Sequence, residues 1–227
     1  MTQSEILYSI KEALGIDTDD RSWKTPDAYI MHEYETVRGM MVHQRVNRTR
    51  KVPDVLYQTV KLTMTLSSAA DCGVNTDCKV IRSTQKIPSS VIHRYSGPMI
   101  DFIRSYEIRG AHTTLVTDSS KLNTLYGGRL APVNEIFSYV LGGYLYLFSM
   151  NPAINVVDTV IMRAIFDQPS AIIDAGLCEG ESCDTYPITA EIHTQAKQLT
   201  IQKLMQERGT AGRDVTNDAS PAAQQEL

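Results

Sequence analysis

Residues 60–67, VKLTMTLS, alternate strictly between apolar and polar side chains. Successive side chains of a strand point to opposite faces of a sheet, so this period of two predicts a strand with one buried and one exposed face. A helix would spread the same apolar residues around its axis. The chain must therefore build a sheet with a core on one side, with the buried positions predicted at Val60, Leu62, Met64 and Leu66.

Shorter segments predict further strands at 78–90, 111–118 and 155–169. In FSYVLGGYLYLFS, residues 137–149, the Gly142-Gly143 pair suits a two-residue turn and predicts a β-hairpin. Residues 96–106, SGPMIDFIRSY, fit either a short helix or a strand. Since no helix between the strands is long enough for a crossover, we expect residues 52–186 to form an antiparallel β-sandwich or small barrel. With the flanking helices described next, the fold class is α+β.

Residues 1–51 form a predicted N-terminal helical region. Its first helix, SEILYSIKEALG, has Ser4 as a candidate N-cap, and Gly15 follows its last apolar residue. A second helix starts with Thr25 as N-cap and Pro26 at the first helical position. Its apolar side chains recur at steps of three and four residues and form one stripe, made of Ile30, Tyr34, Val37 and Met41.

That apolar stripe continues into positive charge at Arg45 and Arg48, with Arg50 and Lys51 following. We expect the second half of the helix to leave the core. Cations suit the negative end of a helix dipole, which is the ordinary interpretation of such a run. The functional interpretation is contact with nucleic-acid phosphates without base readout, or with an acidic partner surface, through Arg45, Arg48, Arg50 and Lys51.

A C-terminal helix is predicted over residues 187–208, with Thr185 or Thr189 as its cap and Gly209 at its end. Ile188, Ile192, Ala196 and Leu199 form one stripe, and a second apolar set lies well around the axis from it, at Ile201, Leu204 and Met205. Burial on two sides suggests a neighbouring subunit. With the tail included, the expected subunit-interface residues are Ile188, Ile192, Leu199, Ile201, Leu204, Met205 and Val215.

Residues 209–227 form a polar tail in which Val215 and Leu227 are the large apolar residues. The tail buries too little apolar surface to offset the entropy of ordering it. It is therefore either a flexible terminus or a segment that becomes ordered on a partner.

A net charge of −4 and a pI near 5.7 argue against a protein whose whole surface binds nucleic acid. The first residues lack the pattern of a secretory leader, and the most apolar stretch, residues 136–150, is too short to span a bilayer. We expect a chain made in the cytoplasm with no membrane partner.

The four cysteines form two spaced pairs, Cys72 with Cys78 and Cys178 with Cys183. Neither spacing is the C-x2-C of zinc sites, so no metal is expected. Both pairs lie in turn-like sequence where a local disulfide is geometrically feasible, but a reducing cytoplasm makes free thiols the default expectation.

The sequence contains no recognised catalytic or phosphate-binding motif, and its five histidines are scattered singly. We therefore expect no cofactor and no enzymatic activity. An enzyme would need titratable groups that converge, with His93, His112 and Asp118 as the candidates. A free-standing nucleic-acid-binding module ranks lower because of the acidic pI, and an oligomeric interaction module stays an alternative.

Four stretches of the chain resemble the head–tail connector (adaptor or ring) structural proteins of tailed bacteriophages, in particular the crAss-like group. They are DCKVIRSTQKIPSS at 77–90, YVLGGYLYLF at 139–148, VIMRAIFDQP at 160–169, and the segment 188–220 that joins the last helix to its polar tail. They span roughly the C-terminal two-thirds of the chain. Because members of this family vary most at the N-terminus, no specific role carries over to residues 1–50.

The resemblance implies a non-enzymatic virion protein at the head–tail junction. Its copies would form a homo-oligomeric ring, a dodecamer in this family, that joins the capsid portal to the tail. The ring would line part of the channel through which DNA is ejected, with non-specific DNA contact. The expected partners are the portal and neighbouring ring or tail proteins, and the tail of residues 209–227 would become ordered against one of them.

Overall fold

A computed structural model gives the fold. It describes residues 1–16, 25–49, 52–67, 79–93, 97–105, 113–115, 136–149, 152–178 and 185–217. The chain divides into two compact units, one of residues 1–41 with 189–227 and one of residues 42–188.

The first unit is helical. Helix α1 spans Gln3–Ala13, helix α2 spans Asp27–Arg48 with its residues up to Met41 in this unit, and the C-terminal helix, here α4, spans Ala190–Asn217. Lys11 of α1 forms a 2.6 Å ion pair with Asp27 at the start of α2. Helix α1 is amphipathic and buries its apolar face, at Ile6 and Ile10.

The N-cap of α1 differs from the expected Ser4. Thr2 is the cap, and its hydroxyl accepts from the backbone N–H of Glu5 while the Glu5 carboxylate accepts from the backbone N–H of Thr2. This reciprocal capping box satisfies two N–H groups that the helix itself leaves without partners. Gly15 follows the helix with φ of +65°, as expected for a residue that ends a helix.

The apolar stripe of α2 is buried as predicted at Ile30, Tyr34 and Val37. The expectation that the second half of the helix leaves the core is wrong, because Val42 and Val46 are also buried. These two residues belong to the second unit and lie four apart, so they share one side of the helix.

Thr189, one of the two expected caps, precedes helix α4, and its hydroxyl accepts from the backbone N–H of Ile192 at 3.3 Å. The buried residues of α4 follow steps of four, at Ile192, Ala196, Thr200 and Leu204. Leu204 is therefore buried within its own chain, and it does not need the neighbouring subunit that was expected to cover it. The helix does not end at Gly209 but continues to Asn217.

The second unit is built on β-strands, with a short helix α3 at Pro169–Asp174. The strands are β1 Gln58–Ser67, β2 Lys79–Ser83, β3 Ile92–His93, β4 Gly97–Pro98, β5 Ile100–Ser105, β6 Thr113–Leu115, β7 Ile136–Leu141, β8 Tyr144–Ser149 and β9 Thr159–Ala164. The described residues of the ambiguous segment, 97–105, therefore contain strands and no helix.

The described strands assemble into one large sheet and a small β3-β4 ladder. The large sheet has seven strands in the order β5-β9-β1-β2-β8-β7-β6. Its pairings are antiparallel except for the parallel pairing of β6 with β7. The end strands β5 and β6 also meet, since the Thr113 hydroxyl donates to the Ile103 carbonyl at 2.8 Å. The sheet is thus nearly closed, and the small-barrel form of the predicted α+β class is confirmed.

The inside of this sheet holds the main core. Val60, Leu62 and Met64 of β1 are buried there as predicted, whereas Leu66, near the end of the strand, is 66% exposed. On β9 the alternating residues Val160, Met162 and Ala164 are buried against them. A second cluster, mostly aromatic, occupies the other face of the sheet and contains Val80, Phe137, Tyr139, Tyr146 and Phe148.

The predicted β7-β8 hairpin is confirmed. Gly142 and Gly143 have φ of +60° and +83°, values that glycine adopts without steric strain.

Candidate functional site

The sequence analysis gives two candidate sites, the C-terminal helix α4 and the basic end of α2.

Helix α4 is held against α2 by polar contacts within the first unit. Lys203 of α4 donates to the Glu33 carboxylate of α2, and the Tyr29 hydroxyl donates to the Glu207 carboxylate at 3.0 Å. The bond to Glu33 raises the pKa of Lys203, and the bond to Glu207 raises the pKa of Tyr29. Because Glu33 is 7% exposed, its charge needs such a partner.

A third contact joins the same two helices. The Tyr34 hydroxyl lies 2.7 Å from Nδ1 of His193, and the rings meet edge to face at 5.9 Å between centroids. Burial raises the pKa of Tyr34, an effect that Arg38 opposes. Burial also lowers the pKa of His193 below its ordinary 6.5, and Lys197 lowers it further. The pair is therefore neutral at neutral pH and acts as a packing and hydrogen-bonding contact.

The predicted interface residues differ in exposure. Ile188, Ile192 and Leu204 are buried within the protein, and Ile201 is half-buried. Leu199 is 44% exposed and Met205 is 52% exposed, so both are accessible to a partner. The side chain of Val215 lies outside the described residues.

The basic end of α2 is only partly within the described chain. Arg45 is half-buried and Arg48 is exposed, whereas Arg50 and Lys51 lie outside the described residues. Helix α2 ends at Arg48, and the hydroxyl and backbone N–H of the next residue, Thr49, both donate to the Arg45 carbonyl, at 2.8 Å and 3.0 Å. Arg48 is thus the cation of this run that is shown to be accessible.

Helix α2 contains buried charged residues that the sequence analysis does not predict. Glu33, Glu35 and Arg38 are at most 7% exposed, and Arg38 is fully buried. Their sequence positions carry no signal of burial, because the partner of Glu33 is Lys203, far along the chain. Charged side chains are seldom fully buried without such partners.

The described part of the chain does not show the catalytic site that the enzyme alternative requires. The His93 side chain, His112 and Asp118 lie outside the described residues. No group of three or more metal-ligating side chains occurs among the described residues. His43 Nε2 lies 3.1 Å from the Asp167 carboxylate, a pairing within the second unit that links the C-terminal part of α2 to the segment after β9.

The expectation of free thiols is wrong for Cys178, which is in a disulfide bond. The other three cysteines, Cys72, Cys78 and Cys183, lie outside the described residues. Cys178 also forms a β-bridge with Val60, so it is anchored to β1 of the sheet.

Within the described chain, no helix combines the length and the apolar character that a membrane crossing requires.

The comparisons with known proteins give one family. Residues 5–226 match the family described as phage tail ring protein 2, a family of crAss-like phages. None of the curated proteins matches the sequence. The match includes both units and extends the resemblance from the C-terminal two-thirds to almost the whole chain. It indicates a structural role in the virion, in an oligomeric assembly with tail components. The chain belongs to the phage tail ring protein 2 family of crAss-like phages.

Proposed function

We propose that copies of this chain form a closed homo-oligomeric ring at the head–tail junction that joins the capsid portal to the tail. The observation that carries the proposal is the surface of α4. The helix buries one stripe within its own chain, yet Leu199 and Met205 stay exposed on it. Covering apolar side chains of this size with a neighbouring copy removes them from water and stabilises the assembly.

The ring is proposed to be non-enzymatic and dodecameric, as the family resemblance implies. Its subunits are made in the host cytoplasm and are then built into the particle. The portal and adjacent ring or tail proteins are its partners, and the part of the polar tail that follows the helix, residues 218–227, becomes ordered on one of these neighbours. The proposed subunit interface contains the seven residues expected from the sequence. Of these, Leu199, Ile201 and Met205 have surface that a neighbouring copy can contact.

The basic end of α2 is proposed to line the DNA channel. Arg48 is exposed, and Arg50 and Lys51 follow it in the sequence. A cation at this position can neutralise DNA phosphates without reading bases, which suits a channel that passes any sequence. Contact with an acidic protein surface is the alternative for the same cations.

Quantitative peptide mass spectrometry of purified virus particles tests the proposal. We expect this chain at a ratio near one-to-one with the portal protein, and a native mass of the isolated assembly that corresponds to a closed ring. A chain that is missing from the particle, or present in much smaller numbers than the portal, would refute the ring at this junction.

A further inference from the structure

Positive charge gathers beside the β7-β8 turn, on the face of the sheet that carries the aromatic cluster. The guanidinium carbon of Arg82 lies 4.8 Å from the centre of the Tyr144 ring, and Nζ of the exposed Lys86 lies 5.8 Å from it. Leu141 is the cross-strand partner of Tyr144, so the two side chains share this face, and Leu141 is 43% exposed. These four residues are called the basic patch.

The cations of the basic patch have no acidic partner in the described part of the chain. Neither Arg82 nor Lys86 forms an ion pair there, although both lie against the Tyr144 ring. Two cations held close together repel each other, and a carboxylate placed between them relieves the repulsion. With Leu141 exposed beside them, these cations suit a partner surface that combines an acid with an apolar side chain.

The second unit itself has one such surface among its described residues. Three of the acids in this unit lie within 3.5 Å of a basic side chain, Asp54 and Asp101 by Arg163 and Asp167 by His43. Asp158 and Asp174 have no such neighbour in the described part of the chain. Asp158 is exposed and follows Val156, which is 59% exposed, by two residues. Asp174, in contrast, lies between the half-buried Ile173 and the small Ala175.

Val156 and Asp158 both face away from the core. Val157, between them, is buried in the main core, so its two neighbours are directed outward. The backbone here is anchored, because the Asp158 carbonyl accepts from the N–H of Met64 on β1 at 2.8 Å. Val156 and Asp158 are called the acidic patch, and this anchoring fixes its position before a partner arrives, which lowers the entropy cost of binding.

The two patches lie at opposite ends of the barrel. Gly143 of the hairpin turn and Ile100 of β5 line the same small cavity, and Ile100 pairs with Ala164, the last residue of β9. Asp158 directly precedes Thr159, the first residue of β9. The length of this strand is about 20 Å, whereas an ion pair needs a separation below about 4 Å. The patches therefore cannot meet within one copy.

We infer that the acidic patch of one copy docks on the basic patch of the next copy. Asp158 pairs with Lys86, and Val156 packs against Leu141. Because two different surfaces at opposite ends of one body meet, the contact is head-to-tail, and such contacts generate a ring when the rotation between copies closes. The inference rests on the proposed ring, and it names a contact of the barrel that acts in addition to the α4 surface.

Crosslinking of assembled copies tests the inference. Leu141→Cys/Val156→Cys chains labelled with ¹⁴N or ¹⁵N are mixed, assembled with portal and tail proteins, and treated with a short bismaleimide. We expect linked peptides that join positions 141 and 156 and combine both isotopes, and a ladder of linked species on a denaturing gel. Each single-cysteine variant should show only the background from the native cysteines. Links from position 141 to 141, to another surface or to another protein would overturn the inference.

A charge swap tests the ion pair. Lys86→Glu should raise the concentration needed for ring assembly about tenfold, because it replaces attraction by repulsion at every contact. Adding Asp158→Lys should restore assembly, whereas adding Glu12→Lys should not. Glu12 is the matched control, because it is an exposed acid one turn from the exposed Tyr8 of α1. Recovery with both added substitutions, or with neither, would contradict the inference.

Native mass spectrometry of the same samples separates the inference from the proposed function. Rings that form without links between positions 141 and 156 refute the inference and leave the proposed function intact. Failure of the unmodified chain to form rings in the presence of portal and tail proteins refutes the proposed function itself.

Discussion

Tyr34 of α2 and His193 of α4 meet through a 2.7 Å hydrogen bond between the tyrosine Oη and the imidazole Nδ1. The tyrosine is fully buried and the histidine is half-buried. The hydroxyl donates when Nδ1 carries no proton, so the contact is best made by neutral imidazole. The first prediction follows from this protonation state.

We expect the free energy of unfolding to decrease as the pH falls through 6.5. Burial holds the pKa of His193 below 6.5 in the folded chain, so the unfolded chain binds more protons in this range. His193→Gln removes the titrating group and should flatten this part of the profile, measured by urea unfolding between about pH 8 and about pH 5. His32→Gln, at an exposed position of α2, is the control, and an unchanged profile in His193→Gln would count against the assignment.

The Glu33–Lys203 contact predicts a non-additive pair of substitutions. Lys203→Met leaves the buried Glu33 carboxylate without this cation and should lower the melting temperature. Adding Glu33→Gln removes the buried charge and should recover part of the loss. Gln202→Met, at an exposed position of the same helix, controls for the new side chain. Simple additivity in the double-mutant cycle would show that the two residues are not coupled.

The hairpin turn predicts different costs at its two glycines. Gly143→Ala should destabilise the protein by roughly 1–2 kcal/mol, because an L-residue is strained at φ of +83°. Gly142→Asn should be close to neutral, since Asn-Gly is a favoured pair in such turns. Urea unfolding of both variants gives the comparison, and equal losses would argue against the turn geometry.

The channel proposal predicts a charge effect at Arg48. Arg48→Glu should leave the folded chain intact, because the side chain is exposed, and should reduce DNA retention or ejection by the particle. Arg48→Lys keeps the charge and is the matched control. The measurement is the genome content of purified particles before and after triggered ejection. Normal retention and normal ejection in Arg48→Glu would remove Arg48 from the channel.

The ring proposal predicts a loss of assembly from the exposed residues of α4. Leu199→Asp and Met205→Asp should leave a folded chain with native helical content but shift it from ring to smaller species, as measured by native mass spectrometry. Gln198→Asp places the same charge at an exposed position beside Leu199 and should assemble normally. Rings that form equally well from all three variants would exclude this face of α4 from the interface.

Local patterns in the sequence predicted much of the fold. The alternation in β1 and the glycine pair of the hairpin depend on neighbouring residues, and both are confirmed by the structure. The Thr2-x-x-Glu5 spacing was an equally local signal of a capping box that the choice of Ser4 overlooked. These features need no knowledge of distant parts of the chain.

Features that depend on distant residues were missed. The stripe of α2 was extrapolated into Arg45 and Arg48, whereas Val42 and Val46 are the residues buried there. Similarly, the sequence predicts that a neighbouring subunit covers Leu204, whereas Leu204 is buried within its own chain. Steps of four drift slowly around a helix, and the buried stripe follows the residues that it packs against. The pairing of β5 with β9 joins segments that are far apart in the sequence, so no single segment specifies it.

The hydrogen bond from Thr113 to the Ile103 carbonyl joins the two end strands of the sheet. Open sheet edges attract strands from other molecules and are a common origin of aggregation. Many free copies of a ring protein are present before the ring is complete. If the sheet of each copy had open edge strands, the copies could pair strand to strand and form aggregates of unlimited length. Near closure of the sheet directs association toward helices and loops, where geometry can limit the number of subunits.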